Sequence, residues 1–164
     1  MSSKIRANLW FDSEAEEAAR FYCSIFKDSK LGTITRYPET GQEVTGKAPG
    51  SVMAVEFELN GQTFIGLNGG PHFKFSEAIS FVIDCADQAE VDYYWEKLGA
   101  GGDPNAQQCG WLKDRFGLSW QVVPRGWEEM YTSTDRTKVE RAFAAMLQMK
   151  KLDIAALRSA FEGR

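Results

Sequence analysis

Apolar and polar residues alternate along IRANLWF, residues 5 to 11, the two-residue period of a half-buried strand. The period then lengthens. Between residues 14 and 26, Ala15, Ala18, Ala19, Tyr22, Cys23 and Phe26 recur at three- and four-residue spacing, which predicts a helix with one core-facing stripe. Ser13, with Glu16 three residues on, predicts a capping box at its start. Strands are predicted at about 31 to 37, 51 to 59 and 62 to 68. The last two are joined by Asn60-Gly61, a dipeptide suited to a two-residue hairpin turn because both residues tolerate positive φ. PETGQEVTGKAPG, residues 38 to 50, reads as a long polar loop.

From residue 77 the order starts again. AISFVID predicts a strand, and residues 87 to 98 predict a helix with Val91, Tyr94, Trp95 and Leu98 on one side. A shift of 72 lays Asp12 on Asp84, Phe21-Tyr22 on Tyr93-Tyr94 and Phe26 on Leu98; a shift of 56 lays GQTFIGL on GLSWQVV. Each half is therefore expected to run strand, helix, three strands, an internal duplication. After Pro124 the pattern changes. Helices are predicted at about 135 to 149, with Val139, Phe143 and Leu147 in register, and at 154 to 162, with Ile154, Leu157 and Phe161. Short helices of this kind need something to pack on, either the domain or a second subunit. Met146 and Met149 read as core filler, with a ligand lid as the competing role.

With 164 residues, 43% of them apolar and 13% aromatic, the chain can bury one sizeable core, and one domain of two related halves is expected. A net charge of -4 with Lys and Arg mixed among acids offers no footprint for nucleic acid or an anionic membrane, so a small molecule or a protein is the expected partner. Cys23, Cys85 and Cys109 are scattered without metal or disulfide spacing and read as reduced thiols. The N-terminus lacks a long apolar region and no run approaches 18 apolar residues, so a cytoplasmic, soluble protein is expected.

Three blocks, LWFDSEAEEAARFYCSIF, LNGGPHFKFSEAISF and CGWLKDRFGLSWQVVP, in this order, resemble the PhnB-like branch of the vicinal oxygen chelate superfamily, related to glyoxalase and bleomycin-resistance proteins. The likeness runs from about residue 4 to 124. It implies an α+β fold in which two βαβββ modules, about 4 to 70 and 75 to 124, form a curved mixed sheet around a cavity, commonly in a homodimer. Residues 125 to 164 would then be a helical extension packed on the domain or on the dimer partner. Members of this branch also carry a demethylubiquinone methyltransferase label. That chemistry needs a Gly-rich turn from a strand into a helix. Here Gly69-Gly70 leads into proline, and Gly99 to Gly102 follows a helix, so methyl transfer is not expected.

The resemblance also implies where a metal would be held: by His, Glu or Gln on the first strand of each module and about four residues after the turn glycine of the last hairpin. The windows hold Arg6, Ala7 and Asn8; Ala78, Ile79 and Ser80; Phe64, Ile65 and Gly66; and Trp120, Gln121 and Val122. Only Gln121 is a regular donor, with Asn8 a weaker second, and a divalent ion needs several converging donors. No metal and no cofactor are expected. The lone histidine, His72, falls outside the windows, in a linker where Gly69-Gly70-Pro71 reads as a hinge. It is expected to be a pocket or interface residue. Cys109 with His72 as base would suit a nucleophile, but nothing in their spacing brings them together, and a structural thiol is expected. Asp114 and Arg115 read as turn chemistry. Trp10, Trp111, Trp120, Phe64 and Phe81 supply aromatic walls. The expected ligand set is Asn8, Trp10, Asn68, His72, Ser119, Trp120 and Gln121 around a small organic molecule. Binding or sequestration is the leading expectation. A metal-dependent glyoxalase- or dioxygenase-like enzyme and a structural dimer are the competing ones.

Overall fold

Strand β1 (Ala7–Phe11) feeds helix α1 (Ala15–Ile25), which is followed by β2 (Lys30–Arg36), a short helix α2 (Gln42–Thr45), β3 (Val52–Leu59) and β4 (Gln62–Asn68). The structure is a computed structural model and describes residues 4–164. The described residues up to Lys74 form one compact unit and Phe75–Arg164 a second. In the first, the strand order is β1-β4-β3-β2, with β1 parallel to β4 and the other pairs antiparallel. The alternation that predicted the strands sorts their faces: Leu9, Phe11, Val55, Phe57, Leu59 and Phe64 are buried. Helix α1 turns Ala15, Ala18, Ala19, Tyr22 and Ile25 inward. The Tyr22 ring stacks on Phe57 at 6.1 Å, and Phe57 stacks on Phe64 at 5.3 Å. Burying a ring such as Phe57 stabilises the unit by about 2 to 3 kcal/mol. Asn60 and Gly61 form the β3–β4 turn with φ of 47° and 79°, the double left-handed geometry that the dipeptide favours.

Two expectations about this unit are corrected. The capping box at Ser13 does not form: the residue preceding α1 is Glu14, without a side-chain cap, and Glu14 Oε2 accepts the Ser13 N–H instead. The cap comes from a distant strand, where Asn68 Oδ1 accepts the Ala15 N–H at 2.8 Å. Nor is Gly69-Gly70 a free hinge. The Gly69 N–H donates to Phe11 O and the Gly70 N–H to Asp12 O, extending the pairing beyond β1 and β4. A Cβ on Gly69 would overlap the Trp10 ring, so the glycine is required by close approach. The loop of residues 38 to 50 also holds structure, the helix α2.

The second unit repeats the topology with one strand fewer. Strand β5 (Ser80–Cys85), helix α3 (Gln88–Gly99), β6 (Trp111–Lys113) and β7 (Ser119–Pro124) give the order β5-β7-β6, with β5 parallel to β7 as β1 is to β4. Three strands were expected after α3; two form. The reason lies in residues 101 to 110. Pro104 begins a single 3₁₀ turn to Ala106, and Cys109 and Gly110 take left-handed φ of 52° and 83°, which breaks an extended run. Only the isolated pair Gln108 and Trp111 bridges there.

The end of this interrupted stretch is held by the C-terminal segment. Cys109 N–H donates to Met149 O and Gly110 N–H to Lys150 O, both at 2.8 Å, while Gln108 Nε2 donates to Leu147 O. Gln88, at the start of α3, donates from Nε2 to Leu152 O and accepts the Ile154 N–H on Oε1. The helices of this segment are α4 (Trp127–Tyr131), α5 (Arg136–Leu147) and α6 (Ile154–Glu162). Asp135 and Asp153 cap α5 and α6 by accepting the Lys138 and Ala156 N–H groups. Trp127, Ala142, Leu152 and Leu157 form their core, with Met146 and Met149 packed against it as filler. Among the described residues no helix is long and apolar enough to cross a membrane.

Candidate functional site

The turn between β6 and β7 positions the side chains of the second sheet. Asp114 is buried, and its Oδ1 accepts the N–H groups of Phe116 and Leu118, closing the turn. Its Oδ2 accepts the indole N–H of Trp120 at 2.8 Å. Trp120 is thereby fixed in the interior with Val122 and Leu112. Strand alternation sends Ser119 and Gln121 to the other face, where the register pairs them with Lys113 and Trp111 of β6 and with Ser80 and Val82 of β5. Gln121 Nε2 donates to Ser80 Oγ at 2.9 Å.

A cavity of about 470 Å³ opens beside this face. Trp111, Lys113 and Ser119 contribute from the strands, Gln108 and Cys109 from the left-handed turn, and Glu77 from the segment before β5. Lys113 Nζ and Glu77 form an ion pair, and the hydrogen bond from Lys113 holds the Glu77 carboxyl below its ordinary range. Ser119 Oγ differs from the other lining groups: it is buried and has no hydrogen-bond partner among the described residues. A buried hydroxyl in that state costs about 1 to 3 kcal/mol, which a ligand donor or acceptor would recover.

The expected ligand residues of the first unit are dispersed in role. Asn8 is exposed on β1, across from Ile65, which itself lies across from Glu56. Glu56 was missed by sequence reasoning; it is ion-paired to Arg6 at 2.7 Å. Trp10 is half-buried, donates its indole N–H to Gly70 O at 2.8 Å and meets the Phe73 ring edge-on at 4.9 Å. Asn68 is engaged at both ends of its amide, since Nδ2 donates to Val52 O while Oδ1 caps α1, so its role here is structural. His72 is exposed on the turn after Gly70. Within the second unit, Ser119 lines the cavity, Gln121 sits on the same face beyond it, and Trp120 belongs to the interior. Trp111, expected as an aromatic wall, does line the cavity; the residues missed were Lys113, Glu77 and Gln108. Period-two alternation from Trp111 would have found Lys113 had the short strand β6 been recognised.

These donors do not fit a tightly held divalent ion. In the first unit Glu56 is ion-paired to Arg6 and Asn8 is a neutral amide; in the second, Gln121 offers a single neutral amide oxygen. Among the described residues no group of three or more His, Cys, Asp or Glu side chains is placed to hold one.

Residues 3–123 match the family model described as 3-demethylubiquinone-9 3-methyltransferase. A PhnB protein of Bacillus cereus, bearing the same enzyme description, is 34% identical, with a TM-score of 0.63 over 74% of this chain and 99% of that one. The chain belongs to the PhnB-like branch of the vicinal oxygen chelate superfamily. Two further solved structures share the fold of this PhnB-like chain. Protein PA1353 of Pseudomonas aeruginosa is 18% identical, with a TM-score of 0.58 over 76% of this chain and 98% of that one. The fosfomycin resistance protein FosX of Mesorhizobium loti is 14% identical, with a TM-score of 0.54 over 81% and 99%. A search of curated proteins finds no match. The α+β architecture, with mixed sheets of four and three strands, agrees with the fold that the resemblance implied.

Proposed function

We propose that this PhnB-like chain binds a small organic molecule in the cavity beside β6 and β7, and that it does so without a tightly held metal. The observation that carries the reading is Ser119 Oγ, a buried hydroxyl without a partner in a cavity whose size suits a ligand of modest mass. Trp111 would cover an apolar or aromatic ring, and Gln108 and Lys113 would supply polar contacts at the rim. Gln121, Asn8, Trp10 and His72 remain part of the wider candidate set. The action in this reading is sequestration or sensing, with the one lining carboxylate, Glu77, engaged by Lys113.

Methyl transfer, the activity in the family description, finds little support in the turns. A nucleoside-bearing methyl donor is typically held at a Gly-rich strand-to-helix turn. The corresponding turns here are Asp12-Ser13-Glu14 and Ala86-Asp87, which lack glycine and carry carboxylates. A homodimer is part of the proposal, resting on the resemblance, and a mass in light scattering that stays monomeric over a wide concentration range would remove it.

The test pairs metal analysis with ligand screening. Chain purified without chelator or affinity tag is expected to carry well under one metal ion per molecule, before and after equilibration with zinc, manganese, nickel and iron. A small-molecule thermal-shift screen is expected to yield hits that weaken on Ser119→Ala. Stoichiometric metal, or hits indifferent to Ser119, would defeat the reading.

A further inference from the structure

A second cavity lies in the C-terminal helical segment, beyond the residues that match the family model. It measures about 960 Å³ and opens to the surface between the turn after β7, helix α4 and helix α6. Trp127, Met130, Leu157 and Phe161 give it an apolar wall. Leu157 and Phe161 are four residues apart on α6 and so share a face, and Arg158 lies beside them.

The charges around it are unequal. Lining arginines are Arg125, Arg158 and Arg164, and lining carboxylates are Glu129 and Glu162. Glu162 is held by Lys138 Nζ at 3.2 Å. Among the described residues, Arg125 and Arg158 have no carboxylate partner. In a chain of net charge -4, these guanidinium groups beside an aromatic and aliphatic wall make a local reversal of sign. Guanidinium groups bind carboxylate, sulfonate and phosphate through paired N–H donors, and the wall suits an alkyl or aryl body.

We propose that this cavity binds a small amphipathic anion, its apolar body against Trp127 and Phe161 and its acidic head on Arg125 and Arg158. The site is independent of the cavity at Ser119. It also gives the C-terminal segment a role beyond packing.

The experiment uses the full chain and two dyes. Anilinonaphthalene sulfonate supplies an aryl body with an anionic head, and Nile red supplies an apolar body without charge. One sulfonate is expected to bind per chain, displaced by dodecanoate. Arg125→Ala and Arg158→Ala should each weaken it by about tenfold, the loss of a charge-assisted contact, while Nile red binding changes little. Both arginines are exposed, so far-UV circular dichroism should be unchanged in the variants. Ser119→Val should leave sulfonate binding as it was, which separates this site from the one proposed above. Absence of sulfonate binding to the folded chain would overturn the proposal. So would equal losses for the two dyes, binding that follows Ser119, or a cavity filled by a second copy, seen as a mass that falls on Arg158→Ala.

Discussion

Trp120 donates its indole N–H to Asp114 Oδ2 at 2.8 Å, and the same carboxylate holds the backbone of its own turn at Phe116 and Leu118. One buried side chain thus sets the turn, the register of β7 and the orientation of a buried indole in the second sheet. Asp114→Ala would remove the buried carboxylate that accepts these three hydrogen bonds, and a loss of about 3 kcal/mol is expected in urea unfolding. Trp120→Phe removes one donor and should cost less than Asp114→Ala. Equal, small losses for both would mean that the carboxylate does not organise the turn.

Gln88 ties the C-terminal segment to α3 by two bonds, to Leu152 O at 3.1 Å and from the Ile154 N–H at 2.8 Å. Gln88→Ala leaves a carbonyl and an N–H to find water, a change of about 1 to 2 kcal/mol. The effect is expected to be local. Amide exchange should accelerate across residues 147 to 162 and stay unchanged in β3 and β4, as hydrogen-exchange mass spectrometry would read.

Lys151 adds an electrostatic contact to the same attachment. Its Nζ lies 2.6 Å from Asp92 Oδ1, and the hydrogen bonds from Lys151 and then Gln88 hold the Asp92 carboxyl below its ordinary range. A carboxyl whose folded value is lowered contributes stability above its unfolded value, about 3.9, and loses it as pH falls through the folded value. Fluorescence-detected unfolding should therefore show stability falling below about pH 4, and Asp92→Asn should flatten that part of the profile. Because the pair is exposed, the difference is expected to shrink in high salt.

Most elements were legible because their periodicity is local. The hairpin of β3 and β4, the helices α1 and α3, and the helices α5 and α6 follow from apolar spacing and from Asn60-Gly61 within a residue or two. What escaped depends on contacts far apart in sequence. No window around Ser13 reveals that α1 is capped by Asn68, 53 residues beyond Ala15. Nothing in QCGWLKD reveals that its backbone serves the segment at 149 and 150 instead of a neighbouring strand. The candidate site divides the same way. Alternation is enough to place Ser119 apart from Trp120, but the cavity and the lack of a partner on Ser119 Oγ depend on how the turn at Cys109 folds.

Apart from the Lys150 and Lys151 side chains, which reach Pro104 O and Asp92, the polar attachment of the C-terminal segment runs through its main chain: the carbonyls of Leu147, Met149, Lys150 and Leu152 and the N–H of Ile154. Main-chain groups are common to every residue type other than proline at a donor. Mutational drift along residues 147 to 154 can therefore alter side chains while leaving these polar contacts in place, provided that Leu152 stays apolar and Ile154 does not become proline. The burden of specificity falls on the receiving side, at Gln88 and Gln108. Those two amides are where an appended helical segment has its address written.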